Sequence, residues 1–339
     1  LLIHPLFLAG SYIPISLKSA AELLLPGSNW KVNFGIAGLL FMMSLLIITF
    51  FVDLPYQFWR FTHKFLGVAF FLGGVHAFFI PSDISRSVYL RGYMFVLIGI
   101  GFAGYLFRTV FGRFLLHKYR YMVKKVTLLM PDVVEIKMVP FKKPLRYLPG
   151  QFVYISFNQK GLKEAHPFSI SSSPFDEEFS LTLKSLGDFT GRLKLLELNT
   201  QVQIEGPYGR FLYHLFNNPN QVWVAGGIGI TPFMSMARSL TNNLYKIDFF
   251  YTTSAPEEAV YLKEIMEISK AKPNIRTFTH FSSVSGRLSA QTLEEKSGML
   301  LNKEFFLCGP PPMMHSLKQQ LKKMGIKSAH IHSEEFQML

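Results

Sequence analysis

The chain has 339 residues, 49% apolar and 17% charged, a length for two or three domains; its one cysteine, Cys308, excludes an intrachain disulfide and a thiolate-held zinc or iron–sulfur centre within the chain. The net charge of +13 could suit nucleic acid, but Arg108, Arg113, Lys118, Arg120, Lys124 and Lys125 follow directly on an apolar stretch, which is a membrane-surface pattern and excludes a nucleic-acid partner. Residues 1–111 are almost uncharged and rich in Phe and Leu, whereas residues 113–339 read as a soluble chain, so a membrane part is expected to precede a soluble part.

The chain opens within an apolar run, Leu1-Leu-Ile-His4-Pro-Leu-Phe-Leu, without the basic start and cleavage site of a signal peptide. It is expected to be the end of a spanning helix whose beginning has been lost, loosened at its outer end by Pro14. His4 is an imidazole inside that run. Residues 32–52 carry no charge between Lys31 and Asp53, enough to cross the hydrocarbon core. A short connection then leads to Arg60–Ile80, which sets His63 and His76 among Phe, Leu, Val and Gly.

Imidazoles in a lipid-spanning helix are costly unless something binds them. On one continuous helix the two rings lie about 20 Å apart and about 220° around the axis, so a single metal cannot bridge them. Two haems at different levels, each taking one ring, meet that spacing, and so do two packed histidines facing other helices. The last apolar run, Gly92–Phe107, is short, but Arg91 and Arg108 can reach towards the headgroups from its ends. Four spans are therefore expected. Arg60, Lys64, Arg108, Arg113, Lys118, Arg120, Lys124 and Lys125 outweigh Lys18, Lys31, Arg86 and Arg91 on the other side, which makes the soluble part cytoplasmic.

From Tyr121 the pattern shifts to short β-branched and aromatic segments between Pro and Gly, namely residues 124–130, 133–139, 151–157, 179–186 and 201–206, the signature of antiparallel strands in a small barrel. Thr190–Leu198 is one expected helix among them. From Gln221 strands alternate with helices expected at Thr231–Leu240, Glu257–Ser269 and Pro312–Met324, which predicts a parallel sheet covered by helices.

Four pieces of this soluble part carry chemistry. Leu148-Pro-Gly-Gln-Phe152 is a turn entering a strand. His166-Pro-Phe-Ser-Ile-Ser-Ser-Ser-Pro174 concentrates hydroxyls and strand-end amides in one segment, suited to a pyrophosphate and a flavin edge. Gly226-Gly-Ile-Gly-Ile-Thr-Pro232 follows a strand and opens a helix, where backbone amides can approach a phosphate, although the spacing is not the G-x-G-x-x-G fingerprint. Phe305-Phe-Leu-Cys-Gly-Pro-Pro-Pro312 is a second strand-to-helix turn, where open parallel sheets bind ligands.

In this order and spacing the four pieces resemble the ferredoxin-NADP reductase superfamily, and with the upstream histidines the chain resembles the ferric reductase and NADPH oxidase family. The resemblance implies an all-α transmembrane helix bundle holding haem (1–112), an antiparallel β-barrel FAD domain (113–215) and an α/β parallel-sheet NAD(P)H domain (216–339). It implies that His166, Pro167, Phe168 and Ser169 lie along FAD, with Ser169 near the reactive ring nitrogen and Ser171 and Ser172 as further cofactor contacts. Thr190, in Gly187-Asp-Phe-Thr-Gly191, would meet the pyrophosphate. Gly226, Gly227, Gly229, Thr231 and Pro232 would form the nicotinamide dinucleotide turn, and Cys308, Gly309 and Pro310 would lie by the nicotinamide. Cys308 reads equally as a buried small hydrophobe. Phe336 resembles the near-terminal aromatic that stacks on the flavin and shifts for hydride transfer.

By the same resemblance His4 and His76 would hold an outer haem b, and His63 would be one ligand of an inner haem b, whose other ligand would lie upstream of Leu1. Electrons would then pass from cytoplasmic NADH or NADPH through FAD and two haems to a ferric chelate or dioxygen outside the plasma membrane, or alternatively to a quinone or a partner redox protein. Thr253-Ser254-Ala255 stands where many NADPH users of the superfamily carry an arginine, so Arg276 or Lys272 would have to supply the charge for a 2′-phosphate. His117, His214, His280, His315 and His330 have no metal-like spacing and read as surface or loop residues.

Overall fold

Ser16 accepts a hydrogen bond from Ser19 N and Asn29 accepts one from Lys31 N, and these two caps start helices in an otherwise apolar stretch. A computed structural model of the chain describes residues 3–54, 56–80, 87–111, 117–241 and 243–334, and divides into two units, Leu1–Leu116 and His117–Met338. In the first unit the helices are α1 (Ile3–Tyr12), α2 (Leu17–Glu22), α3 (Trp30–Phe51), α4 (Tyr56–His63), α5 (Leu66–Phe79) and α6 (Val88–Leu106), the last running on into a π-helical turn at Phe107–Phe111. Helices α3 and α5 touch through their glycines: a Cβ on Gly38 would lie 3.2 Å from Gly73 N.

Two expectations for this unit need correction. The segment containing His63 and His76 is not one helix but two, α4 and α5, so the spacing expected for a continuous helix does not apply. Tyr105 of α6 causes the break: its hydroxyl donates to Lys64 O (2.8 Å), replacing an intrahelical amide, and its ring packs on Gly67 where a Cβ would collide. Four spans were also expected, yet among the described residues only α3 and Val88–Thr109 are long and apolar enough to cross a membrane. At 1.5 Å per residue, the 10 residues of α1 and the 14 of α5 fall well short of about 30 Å. Arg86 and Arg113 lie outside the described residues.

The second unit contains two sheets. In the first, six antiparallel strands run in the order β4-β3-β6-β1-β2-β5, with β1 Lys118–Met130, β2 Val133–Pro140, β3 Phe152–Phe157, β4 His166–Ser169, β5 Phe179–Lys184 and β6 Gln201–Tyr208. A bridge from Ile170 to Leu181 draws the two end strands together into a half-barrel around Ile136, Met138, Val153, Ile155, Leu181 and Ile204. Strand β1 starts earlier than its apolar pattern suggests, so Lys118, Arg120, Lys124 and Lys125 stand on a strand. The helix expected at Thr190–Leu198 instead begins at Asp188 and lasts five residues (α7, Asp188–Arg192), because Thr190 Oγ1 accepts from Leu186 N and Gly187 N and anchors its first turn.

In the second sheet five parallel strands run in the order β11-β10-β7-β8-β9, with β7 Asn220–Gly226, β8 Lys246–Thr253, β9 Ile275–Phe281, β10 Glu304–Cys308 and β11 Ile331–Glu334. Both faces are covered, which is why Glu304–Cys308 has no polar alternation: Phe306 packs with Trp223 and Phe249 under helix α8 (Thr231–Ser239), while Phe305 and Leu307 pack with Leu317 and Leu321 of the helix Pro311–Lys323. The helix expected at Glu257–Ser269 is split into a 3₁₀ turn, Pro256–Glu258, and α9 (Leu262–Ala271), because Tyr261 between them adopts the left-handed conformation, φ 62°.

Candidate functional site

Strand β4 is the end strand of the half-barrel, paired with β3 alone among the described residues, so its outer edge presents backbone groups without a strand partner. His166, Pro167 and Phe168 are half-buried along it and Ser169 is buried. The His166 ring lies against Phe189 of α7, centroids 4.0 Å apart, and Phe168 stacks on the same ring at 6.2 Å, forming an aromatic wall beside the free edge. Beyond the wall, a Cβ on Gly187 would meet no atom within 4 Å, leaving the approach to the first turn of α7 open. An open strand edge, an aromatic wall and an unobstructed glycine fit a flavin and its pyrophosphate. The Thr190 hydroxyl is itself engaged in capping α7.

Ser171 and Ser172 are differently placed. Both are fully buried, Ser171 Oγ 3.1 Å from Ser180 Oγ, and Ser172 Oγ 2.8 Å from the Tyr147 hydroxyl and accepting from Ser180 N. They brace the far end of the flavin segment from within the fold.

The parallel sheet changes direction at β7: the chain proceeds to β8 and β9 on one side, then returns to β10 on the other. The carboxyl ends of β7 and β10 adjoin at this switch point, where such sheets usually form a ligand crevice. The two expected turns meet there. A Cβ on Gly229 would collide with Cys308 O, and a Cβ on Gly226 would lie 2.8 Å from Met313 and Pro310, so only glycines allow the two turns to abut. Thr231 donates to Ile228 O (3.2 Å) and Pro232 occupies the first turn of α8, whose amides face the crevice end. These features fit a dinucleotide.

Cys308 is buried on the same rim. Burial pushes its thiol well above the usual range, and the nearby Glu334 carboxylate adds to that effect, so the sulfur stays protonated at neutral pH. Glu334 pairs with Cys308 across the β10–β11 ladder, and burial raises its carboxyl to about 8. It borders a cavity of about 370 Å³ with Arg210, Phe211, Phe216 and His332. No signal in the sequence singles out Glu334. Phe336 lies outside the described residues.

The two cations expected to receive a 2′-phosphate are committed elsewhere. Arg276 sits at the amino end of β9 and donates to Asp248 Oδ1 (2.7 Å), at the edge opposite the crevice, where it lines a cavity of about 460 Å³ with Lys246 and Lys303. Lys272 donates to Ala237 O (2.8 Å) and Leu240 O (2.6 Å), capping the end of α8. His330 and His332, the first expected at a bland surface, both lie on the buried Glu304, at 2.8 and 2.7 Å.

In the first unit, His63 Nδ1 lies 2.9 Å from Trp59 O and His76 Nδ1 lies 2.8 Å from Lys31 O. A carbonyl only accepts, so both Nδ1 atoms donate. Thr49, 3.5 Å from His63 Nε2, already donates to Leu45 O at 2.7 Å. A backbone carbonyl on one ring nitrogen is a partner that orients metal-ligating histidines, and Nε2 of each ring is the atom that would face a haem iron. His4 lies in α1, and its side chain is outside the described residues.

Known proteins resemble the second unit. Residues 118–211 match the FAD-binding domain model and residues 223–319 the oxidoreductase NAD-binding domain model. The glycine betaine monooxygenase reductase subunit of Chromohalobacter salexigens is 30% identical over 208 residues, 56% of this chain and 56% of the relative. The propane 2-monooxygenase reductase component of Rhodococcus jostii is 24% identical over 235 residues, 63% of this chain and 62% of the relative. This chain thus spans little more than half the length of these curated relatives. Among solved structures, the FAD/NAD-binding domain of nitric oxide dioxygenase from Vibrio cholerae superposes with a TM-score of 0.56 at 21% identity, covering 64% of this chain and 98% of that domain. An FAD-binding domain and an oxidoreductase NAD-binding domain are therefore present, and their half-barrel and parallel sheet share the fold of that solved domain.

Proposed function

We propose that this chain is a membrane-bound, NAD(P)H-dependent FAD oxidoreductase that sends electrons through haem to an acceptor on the opposite membrane face. The observation that carries the oxidoreductase part is the abutment of the Gly226–Pro232 and Cys308–Pro310 turns at the carboxyl ends of β7 and β10. Bound FAD supplies a hydride acceptor and a one-electron donor in one group. The chain's own work is positional: the β4 edge lies along the flavin, the amides of α8 receive a pyrophosphate, and half-buried Glu334 and buried Cys308 keep protons near the rim.

His63 and His76 would each supply one axial imidazole to haem b, with His4 as a further ligand, and haem supplies single-electron carriage across the apolar layer. This reading is supported by the two Nδ1–carbonyl hydrogen bonds and by the long apolar helices. The protein would be a multi-pass protein of the plasma membrane with its second unit in the cytoplasm. Purified full-length protein should contain FAD, show a Soret band and lose 450 nm absorbance on adding NADH or NADPH; His76→Ala should lose haem and keep flavin. A yellow protein without a Soret band after haem-replete expression would leave only the flavin reductase. Superoxide against ferrous-chelate formation then distinguishes dioxygen from ferric chelates as acceptor.

A second reading follows from the names of the two relatives, each a reductase part of a monooxygenase. Here the electrons would go to a partner redox protein or to a quinone. Turnover that needs a co-expressed partner, with neither superoxide nor ferrous chelate formed, would favour it.

A further inference from the structure

Helix α8 does more than present the glycine turn. One and two turns after Thr231, its polar residues reach the backbone just beyond the flavin strand: Ser235 Oγ donates to Ser172 O (2.6 Å), Arg238 Nη1 donates to Ser171 O (2.6 Å) and Ser239 Oγ lies 3.1 Å from Ser173 Oγ. Arg238 is fixed from the other side by a two-pronged pair with Glu264 of α9, Nε to Oε1 2.6 Å and Nη2 to Oε2 2.8 Å. Its guanidinium lies 5.0 Å from the centre of the Tyr261 ring.

Tyr261 completes the seam. Its hydroxyl donates to Glu135 Oε1 on β2 (2.7 Å) and lies 2.6 Å from Thr182 Oγ1 on β5, both on the face opposite the half-barrel's core residues, so a residue of the α/β domain docks on the outside of the half-barrel. Glu135 is only 8% exposed, and sliding one domain over the other would strip this carboxylate of its tyrosine partner. Tyr261 does this from the left-handed backbone conformation, which a bulky side chain keeps only where its surroundings hold it. The nucleotide turn, α8, the seam and the flavin strand thus form one short mechanical path.

We propose that Arg238 and Tyr261 are positioning residues that set the register between the Gly226–Pro232 turn and the His166–Ser169 strand. The proposal rests on the NAD(P)H-to-flavin reading above. Its test uses the full chain in detergent, comparing wild type with Tyr261→Phe and Arg238→Gln. The first readout needs no nucleotide: amide hydrogen exchange of residues 171–173 and 231–239 should quicken about tenfold or more in both variants. The second is single-turnover flavin reduction by 4-protio and 4-deutero NAD(P)H, which should slow by about tenfold to 100-fold with an altered isotope effect, while FAD content is unchanged. Wild-type exchange and wild-type reduction in Tyr261→Phe would overturn the proposal, as would loss of FAD as the sole change. If Arg238→Gln yields no folded protein, Arg238→Lys, which keeps the charge but loses the fork, gives the same decision. A wild-type flavin that neither NADH nor NADPH reduces removes the underlying reading and this proposal with it; a reducible wild type with unaffected variants removes this proposal alone.

Discussion

Glu334 is a carboxylic acid that keeps its proton where carboxylates are normally ionised. Burial raises its folded-state value from 4.5 to about 8. The unfolded chain therefore releases this proton near 4.5 while the folded chain holds it, so the folded state loses stability as pH rises from about 4.5 to about 8 and no further above that. Glu334→Gln cannot titrate. Its melting temperature should match wild type near pH 5 and exceed it increasingly up to pH 8 in thermal scans; parallel melting curves across that window would show that the carboxyl is solvated. Cys308, one strand away, should be correspondingly inert: at pH 8 iodoacetamide should label it at least about 100-fold more slowly in folded than in unfolded protein, measured by mass spectrometry, because the reactive form is the thiolate. Rapid labelling of the folded chain would restore Cys308 as an exposed nucleophile.

The elements of the soluble part were readable wherever the signal was local. Short β-branched runs between Pro and Gly gave the strands, and the glycine turn and Cys308 turn were visible because each joins a strand to a helix. What escaped depended on distant partners. The break at Lys64 is made by Tyr105, 41 positions away, and the diversion of Ser171 into a seam depends on Arg238, 67 positions away. Neither leaves a periodic trace. Arg276 and Lys272 looked available for a phosphate because a sequence does not show that Asp248 and the end of α8 hold them. Two substitutions test these elements. Gly229→Ala drives a methyl into Cys308 O, so the turns must part; overpacking of this kind costs about 1–3 kcal/mol, and NAD(P)H affinity by titration should fall while FAD remains bound. Tyr105→Phe leaves the Lys64 carbonyl without its donor and should lower stability in detergent by about 0.5–1.5 kcal/mol, with unchanged stability meaning that water or another group serves that carbonyl.

For the whole molecule, the proposed membrane-bound form ties orientation to the division of charge. With α3 and Val88–Thr109 as two antiparallel spans, Lys18 and Lys31 before the first share a side with Arg108, Lys118, Arg120, Lys124 and Lys125 at the end of the second, against Arg60, Lys64 and Arg91 between them. The heavier group is the one that insertion would retain. A green fluorescent protein fused after Leu339 should therefore fluoresce, and alkaline phosphatase fused at the same point should be inactive. The inverse pattern would place the FAD-binding and NAD-binding domains outside the cell, away from the reduced nicotinamide pool, and would remove the electron source on which the proposed transfer depends. Because Arg60, Lys64 and Arg91 make up the lighter side, replacing them with glutamine should leave the fusion signal unchanged, whereas neutralising Arg108, Lys118, Arg120, Lys124 and Lys125 together should lower it: the orientation follows from the excess on one side, not from the presence of basic residues on both.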